Sequence, residues 1–156
     1  MPSPSSTSEE RIQMVAFLRH GVSRHNLLDP ITQQPPRLED PELWDPPLVY
    51  QGKLQAIEAG ERTKTWWTRT LHGTAEIELI VTSPLTRCIQ TTMLGFLPGD
   101  AYTNITSKNG EPKIYCTELV REAFGQHYPD KRRDKSVLQV SQSSIALFFQ
   151  NTWCRT

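Results

Sequence analysis

The chain has 156 residues, and its 17 Lys and Arg residues balance 17 Asp and Glu residues, so its formal net charge at pH 7 is zero. The length is typical of a single domain, and the balanced charge argues against nucleic acid as a partner, which would favour a basic excess. No apolar run approaches ~20 residues, so the sequence predicts no membrane-spanning segment.

The ends and the cysteines bear on the compartment. Residues 1–10 are rich in Ser and Pro and predict a disordered lead-in, without the basic start and apolar core of a secretory signal. Residues 11–156 are predicted to form one domain. The three cysteines, at positions 88, 116 and 154, are widely spaced, and we interpret them as reduced thiols. We therefore expect a cytoplasmic protein, with the nucleus as an alternative location.

The first half of the chain predicts a strand, a loop and a helix. Residues 12–18 form a short apolar run bounded by charges, which is typical of a buried strand. Residues 27–50 hold six of the twelve prolines and predict a long loop, which we expect to form part of the rim of a substrate site. Residues 52–71 predict a helix with small or apolar side chains at three- and four-residue spacing. That face consists of Ala56, Gly60, Thr63, Trp67 and Leu71.

The second half repeats this alternation. Residues 76–81 predict a strand, residues 97–112 a loop and residues 113–119 a further strand. Between the first strand and the loop, a helix is expected, because Ser83 is a favoured N-cap and Pro84 is favoured at the first helical position. Alternating strands and helices indicate an α/β fold.

Three polar side chains follow the predicted strands. His20 comes after residues 12–18, Arg87 lies about one turn into the helix after Pro84, and Glu122 directly follows residues 113–119. The strand ends of an α/β sheet meet in one crevice, so we expect these side chains to converge. Imidazole can accept a phosphoryl group, and the arginine fork matches phosphate oxygens.

Four ordered segments carry a resemblance to a known family. They are Arg19-His20-Gly21 with Asn26, Asp45-Pro46-Pro47-Leu48 with Gly52, Gln55 and Ala56, Thr82 to Thr92 with its Ser-Pro-Leu-Thr-Arg core, and Leu119-Val120-Arg121-Glu122 with Gly125. Together they resemble the histidine phosphatase superfamily, which includes the phosphoglycerate mutases, over roughly residues 15–136. Val49 departs from the pattern, because threonine is usual there.

The resemblance implies a three-layer α/β/α fold with a mixed, mostly parallel sheet. It also implies a metal-free phosphatase without a cofactor, acting on a small phosphomonoester. His20 would be the nucleophile and Glu122 the proton donor. The catalytic cations Arg19 and Arg87, with the substrate-binding residue Asn26, would surround the phosphoryl oxygens. Further substrate-binding donors are expected from Gly21 and Ser23.

Residues 125–133 form a second notable run, which resembles a feature of a fungal and plant branch of the superfamily. From it we expect His127, Lys131 and Arg132 to line the substrate pocket. The alternative is a solvated basic turn, or a nuclear-import or nucleic-acid patch. The run is short and the chain is neutral, which favours the pocket.

Family members carry a second catalytic histidine downstream of the acid, and no histidine follows His127 here. His72-Gly73 has the right dipeptide but precedes Ser83, and His127 is too close to Glu122. Residues 137–149 are rich in apolar side chains, with Trp153 beyond them, and the later elements of the family fold are missing. We therefore expect a fold that is incomplete, or truncated, at its C-terminal side.

Three functions stay open at this point. The first is a phosphatase, and the second is a mutase that passes the phosphoryl group to an acceptor other than water. The third is a catalytically impaired module that binds phosphate or a protein partner. The physiological substrate and the oligomeric state are not determined by the sequence.

Overall fold

The computed structural model describes residues 13–70, 77–96, 113–122, 125 and 127–140. Within them the chain is an α/β protein with three α-helices, two strands and short 3-10 turns. The elements in chain order are helix α1 (Tyr50–Thr70), strand β1 (Leu79–Thr82), helix α2 (Thr86–Phe96), strand β2 (Lys113–Cys116) and helix α3 (Lys135–Val140).

Strands β1 and β2 form a parallel pair in which Leu79 lies opposite Lys113 and Thr82 lies opposite Cys116. The Thr117 N–H donates to the Thr82 carbonyl at 3.0 Å, so the pairing continues one residue past β2. Because the strands are parallel, both end at the same edge of the sheet. The segments that follow β1 and β2 therefore begin side by side, and these are the segments that carry Arg87 and Glu122.

Helix α1 packs against α2 and against residues 19–26, the first motif, through small residues. Its buried positions are Gly52, Ala56 and Gly60, which share one face because they are four residues apart. A Cβ atom at Gly60 would overlap the backbone carbonyl of Gly95 in α2, and a Cβ atom at Gly52 would overlap the carbonyl of Val22. Glycine is needed at these positions because backbone, not side chain, lies against the helix.

The buried apolar side chains gather around α2. Leu85 and Ile89 are each 1% exposed, and Leu138 of α3 packs with Ile89 and Met93. The apolar run that begins at residue 137 thus finds a partner at its second residue. The rest of that run, from residue 141 onward, lies outside the described residues, as do residues 1–12 and 97–112.

Two sequence predictions of local structure are wrong. Residues 13–18 form no strand, and Phe17 is 95% exposed. An apolar run becomes a strand only when a neighbour accepts its ladder hydrogen bonds, and the described sheet pairs β1 with β2 alone. Ser83 is not the N-cap of α2: the helix begins at Thr86, and the Leu85 carbonyl accepts the first helical N–H groups, from Cys88 and Ile89.

The other predicted elements that lie within the described residues are confirmed, with shifted ends. The helix predicted over residues 52–71 begins two residues earlier, at Tyr50. The last predicted strand stops at Cys116, because a 3-10 turn over Glu118–Val120 follows it. Glu122 therefore comes after a turn rather than directly after the strand. The long loop over residues 27–50 contains one 3-10 turn, Pro41–Leu43, and no strand or longer helix before Tyr50.

The contact between Gly52 and Val22 yields a stability prediction. We expect Gly52→Ala to lower the free energy of unfolding by about 1–3 kcal/mol, because the methyl group must displace backbone that has no room to move. Urea denaturation measures the change. Lys53→Ala, at an exposed position of the same helix, is the control and should leave stability within about 0.5 kcal/mol. Equal stability of the two variants would contradict the close packing.

Candidate functional site

A cavity of about 450 Å³ lies where the first motif, the long loop and the segment after β2 meet. Its lining residues come from these three parts of the chain: Arg19, His20, His25, Asn26, Pro35, Pro36, Leu38 and Glu122. The loop predicted to form the rim of a substrate site supplies two prolines and a leucine. The catalytic candidates His20, Arg19 and Glu122 share the cavity.

His20 is held in one tautomer by its neighbours. Its Nδ1 atom lies 2.7 Å from the carbonyl oxygen of Gly21, which can only accept, so Nδ1 carries the ring proton. The Arg87 Nε–H donates to His20 Nε2 at 3.2 Å, so Nε2 presents its lone pair. Burial lowers the pKa of His20 below 6.5, and the positive charge of Arg87 lowers it further. The ring is therefore neutral at pH 7, with Nε2 as the basic nitrogen.

Arg87 is fully buried and donates to four protein acceptors. Besides His20 Nε2, these are the Pro129 carbonyl at 2.6 Å, Glu122 Oε2 at 2.9 Å and Asp130 Oδ1 at 3.1 Å. A buried guanidinium is tolerated only when its hydrogens are paired and its charge is balanced. The arginine therefore brings His20 and Glu122 together, although they are far apart in sequence.

The two carboxylates on Arg87 differ in exposure. The Glu122 side chain is 63% exposed, whereas that of Asp130 is 12% exposed. Asp130 does not line the cavity and Glu122 does. Asp130 is thus the fixed counter-charge of the arginine, and Glu122 is the carboxylate that a bound molecule can reach.

Asp45 fixes the start of helix α2. Its side chain is buried and accepts from the Thr86 N–H at 2.8 Å and the Thr86 hydroxyl at 2.7 Å. Its backbone φ of 44° lies in the left-handed region, which aspartate tolerates better than most residues. Burial raises the pKa of Asp45, and the hydrogen bonds from Thr86 oppose that rise. By holding the first helical residue, Asp45 sets the position of Arg87, the next one.

His25 is a second imidazole in the cavity, 5.8 Å from His20 between ring centroids. Asn26 Nδ2 lies 3.1 Å from His25 Nε2 and can only donate, so Nε2 accepts and Nδ1 carries the proton. Among the described residues, Nδ1 of His25 is the buried side-chain nitrogen that lacks a hydrogen-bond partner. Burial, reinforced by the charge of Arg87, lowers the pKa of His25 to about 4.

Gly21 and Ser23 have structural contacts where the sequence predicted substrate contacts. Gly21 is buried, and its N–H donates to Thr91 Oγ1 at 3.1 Å. The buried hydroxyl of Ser23 lies 3.0 Å from the Pro46 carbonyl and 2.9 Å from the Pro47 carbonyl. Both residues anchor the first motif to its surroundings, which corrects their expected position on the ligand.

His127, Lys131 and Arg132 do not line the cavity, which corrects the position expected for the run over residues 125–133. The Lys131 ammonium lies 3.8 Å from the centroid of the Tyr128 ring, and Arg132 pairs with Glu118. His127 is half exposed near Glu39 and Asp130.

The run over residues 125–133 contacts the cavity lining at Leu38 and also contacts Arg87. The Tyr128 N–H donates to the Leu38 carbonyl at 2.9 Å, and Leu38 lines the cavity. Pro129 and Asp130 hold Arg87. Sequence analysis predicted no role for Asp130, Asp45 or His25, although Asp45 and Asp130 lie within segments named there. Their roles follow from their burial, and the residue types in a motif do not indicate which of them will be buried.

Other groups near the site bear on alternative chemistry. Burial raises the pKa of the Cys88 thiol, so it is a poor nucleophile. In the described ranges, no group of three or more His, Cys, Asp or Glu side chains could hold a metal ion. None of the helices that the structure describes is long and apolar enough to cross a membrane.

Comparison with known proteins yields no match to a family model, to a curated protein or to a solved structure. The candidate site therefore rests on its own geometry.

The burial of Arg87 predicts a large stability effect. Arg87→Met leaves the Asp130 carboxylate buried without its cation, so we expect a loss of about 3–5 kcal/mol in the free energy of unfolding. Arg62→Met is the control: its ion pair with Glu58 lies on the surface, where the loss should be within about 1 kcal/mol. Urea denaturation of both variants measures the difference, and equal losses would argue against a buried cation.

The depressed pKa of His25 predicts a pH dependence of stability. Between its ordinary 6.5 and about 4 in the folded chain, the unfolded state binds a proton that the folded state does not. The free energy of unfolding therefore decreases as pH falls through this window. We expect His25→Gln to reduce that slope in urea titrations between pH 7 and pH 4.5. Part of the pH dependence should remain in the variant, because the pKa of His20 is also lowered. An unchanged pH dependence in His25→Gln would contradict the lowered pKa of His25.

Proposed function

We propose that this protein is a metal-independent phosphatase that hydrolyses a small phosphomonoester through a phosphohistidine at His20. The observation that carries the proposal is the state of the His20 ring. Nδ1–H is committed to the Gly21 carbonyl, and Nε2 presents its lone pair beside Arg87, in a cavity that Glu122 also lines. A neutral imidazole in this tautomer becomes a nucleophile when a ligand replaces Nε2 as the acceptor of the Arg87 Nε–H, and the nearby carboxyl group can exchange a proton.

In the first step, His20 Nε2 attacks phosphorus in line with the ester oxygen. The new P–N bond forms as the P–O bond breaks, and the leaving oxygen takes a proton from the carboxyl group of Glu122. Nδ1 keeps its proton, and the Gly21 carbonyl stabilises the positive charge that develops on the ring. The products of this step are an alcohol and a phosphohistidine.

In the second step, water attacks the phosphorus of the phosphohistidine. The Glu122 carboxylate takes a proton from that water, the P–N bond breaks, and His20 returns to its neutral form. Inorganic phosphate leaves. Atoms and charge balance over the two steps, because the proton that Glu122 gives in the first step is recovered in the second.

The surrounding donors fit a phosphoryl group. Arg19 and Asn26 line the same cavity, and a guanidinium and an amide both donate to phosphate oxygens. A phosphoryl oxygen that arrives at His20 Nε2 can replace the imidazole as the acceptor of the Arg87 Nε–H. Arg87 then stabilises the charge that develops on the transferring group.

The proposal extends to the fold and the location that the sequence predicts. We propose a three-layer α/β/α architecture with a mixed, mostly parallel sheet, which the parallel pair β1 and β2 with α2 between them supports in part. We also propose a cytoplasmic location, on the wide spacing of the cysteines.

The test is hydrolysis of p-nitrophenyl phosphate with ³²P-labelled intermediate trapping. We expect the wild-type chain to give an acid-labile label, and His20→Ala to lose the label and to lower kcat by about 10³-fold or more. His127→Ala, which removes a histidine outside the cavity, is the matched control and should keep the activity. Turnover that survives His20→Ala would overturn the assignment.

One observation favours a second candidate, a module that binds phosphate without turning substrate over. Arg87 donates to four protein groups, so a ligand must compete for them. Phosphate binding by the wild-type chain without a rapid-quench phosphohistidine would favour this candidate. A mutase is less well supported, because Arg19 is the only Lys or Arg among the described cavity-lining residues, and an acceptor with its own phosphate needs more cations.

A further inference from the structure

The cavity is lined by two chemically different groups of residues. The first group carries ionic and hydrogen-bonding side chains, those of Arg19, His20, His25, Asn26 and Glu122. The second group is a continuous stretch of the long loop that supplies Pro35, Pro36 and Leu38, the apolar wall. A ligand that fills this cavity therefore contacts both polar groups and the apolar wall.

The apolar wall has few hydrogen-bond donors for a polar ligand. Proline has no N–H group, so neither Pro35 nor Pro36 can donate to a hydroxyl or carboxylate. Leu38 adds an aliphatic side chain, and its carbonyl already accepts from the Tyr128 N–H. The hydroxyl groups of a sugar or of glycerol would lose water against this wall and find no donor on the prolines, whose carbonyls only accept.

The wall is also held in place. Asp29 Oδ1 accepts from the N–H groups of Ile31 and Thr32, at 2.9 and 2.7 Å. The Asp29 N–H donates to the Gln34 carbonyl at 2.9 Å, which closes the turn just before Pro35. With the Tyr128 contact on the other side, both ends of the wall are tied by hydrogen bonds. A preformed apolar surface costs little ordering when a ligand binds.

The charges limit the ligand to one anionic group. Arg19 is the one Lys or Arg side chain among the described residues that line the cavity. Glu122 lies in the same lining and is exposed, and its carboxyl group offers no positive charge to a second phosphate or a carboxylate. The site favours a ligand with a single phosphate at one end and no charge at the other.

We propose that the substrates are monophosphate esters of apolar alcohols, such as aryl or branched alkyl alcohols, and not the phosphates of sugars, glycerol or hydroxy acids. This inference rests on the proposed function for the identity of the reacting group. It adds the class of alcohol, which the wall formed by Pro35, Pro36 and Leu38 selects.

The primary test is a binding measurement that needs no turnover. Isothermal calorimetry would compare benzylphosphonate, methylphosphonate and 2-carboxyethylphosphonate on the full wild-type chain. Burial of part of a benzyl group predicts affinity about tenfold higher than that of methylphosphonate. The carboxyethyl compound should bind no better than methylphosphonate. Equal affinities, a preference for the carboxylate, or no binding of any probe would overturn the inference.

Matched variants then locate the selectivity. Leu38→Asn should reduce the preference for benzyl over methyl to about threefold or less, because a polar side chain replaces part of the wall. Leu28→Asn is the control: Leu28 is a half-exposed leucine of the same loop that does not line the cavity, so its preference should match the wild type. A preference that survives Leu38→Asn unchanged would refute the role of the wall.

The binding series separates this inference from the proposed function. If benzylphosphonate binds best but p-nitrophenyl phosphate turnover does not depend on His20, the pocket specificity stands and the phosphatase assignment falls. If turnover depends on His20 but the three phosphonates bind equally, the phosphatase stands and the substrate class falls.

Discussion

The burial of one guanidinium is the constraint on which the rest of this structure depends. Arg87 has no exposed surface, so its charge and its N–H groups need partners within the protein. The partners come from three distant parts of the chain: the first motif, the segment after β2, and the residues around Pro129. Folding must bring these parts together before the arginine can leave water. The convergence of His20 and Glu122 is therefore a consequence of satisfying a buried cation.

Helix α2 sets the distance between the imidazole and this cation. Arg87 lies in its first turn, and Thr91 lies one turn later on the same face. The Thr91 hydroxyl donates to the Arg87 carbonyl at 2.8 Å and accepts from the Gly21 N–H at 3.1 Å. The backbone next to His20 is thus held in place by the same helix that carries Arg87. Asp45 fixes the start of that helix, so one buried carboxylate positions both groups.

The sequence predicted most helices and strands approximately, and missed what depends on tertiary partners and burial. Helical spacing correctly predicted Ala56 and Gly60 on the buried face of α1, because residues four apart share a helix face. Thr63 and Trp67 of the predicted face are only partly buried, and the buried Gly52 was not predicted. The strand predicted from the apolar run over residues 12–18 is wrong. A strand also requires a neighbouring strand for its hydrogen bonds, and the apolar pattern does not show whether one is present. Asp45 and Asp130 gave no signal, since charged residues are rarely buried and their burial depends on tertiary partners.

The expected convergence of His20, Arg87 and Glu122 is seen in the structure, whereas His127, Lys131 and Arg132 lie outside the cavity lining. Arg87 and Glu122 lie close together because the parallel strands β1 and β2 end at the same edge of the sheet. Within the described residues His20 follows no strand, and it joins them through its hydrogen bond from the Arg87 Nε–H. Glu122 and Asp130 both pair with Arg87, Glu122 as the exposed partner and Asp130 as the buried one. When a phosphoryl group approaches His20, the buried partners Asp130 and Pro129 can keep the guanidinium in place, while the bonds to His20 and the exposed Glu122 are the ones that can exchange. In the mechanism proposed for this site, the two groups that ligand binding releases are the nucleophile and the proton donor, so an arginine that organises the empty site need not obstruct the occupied one.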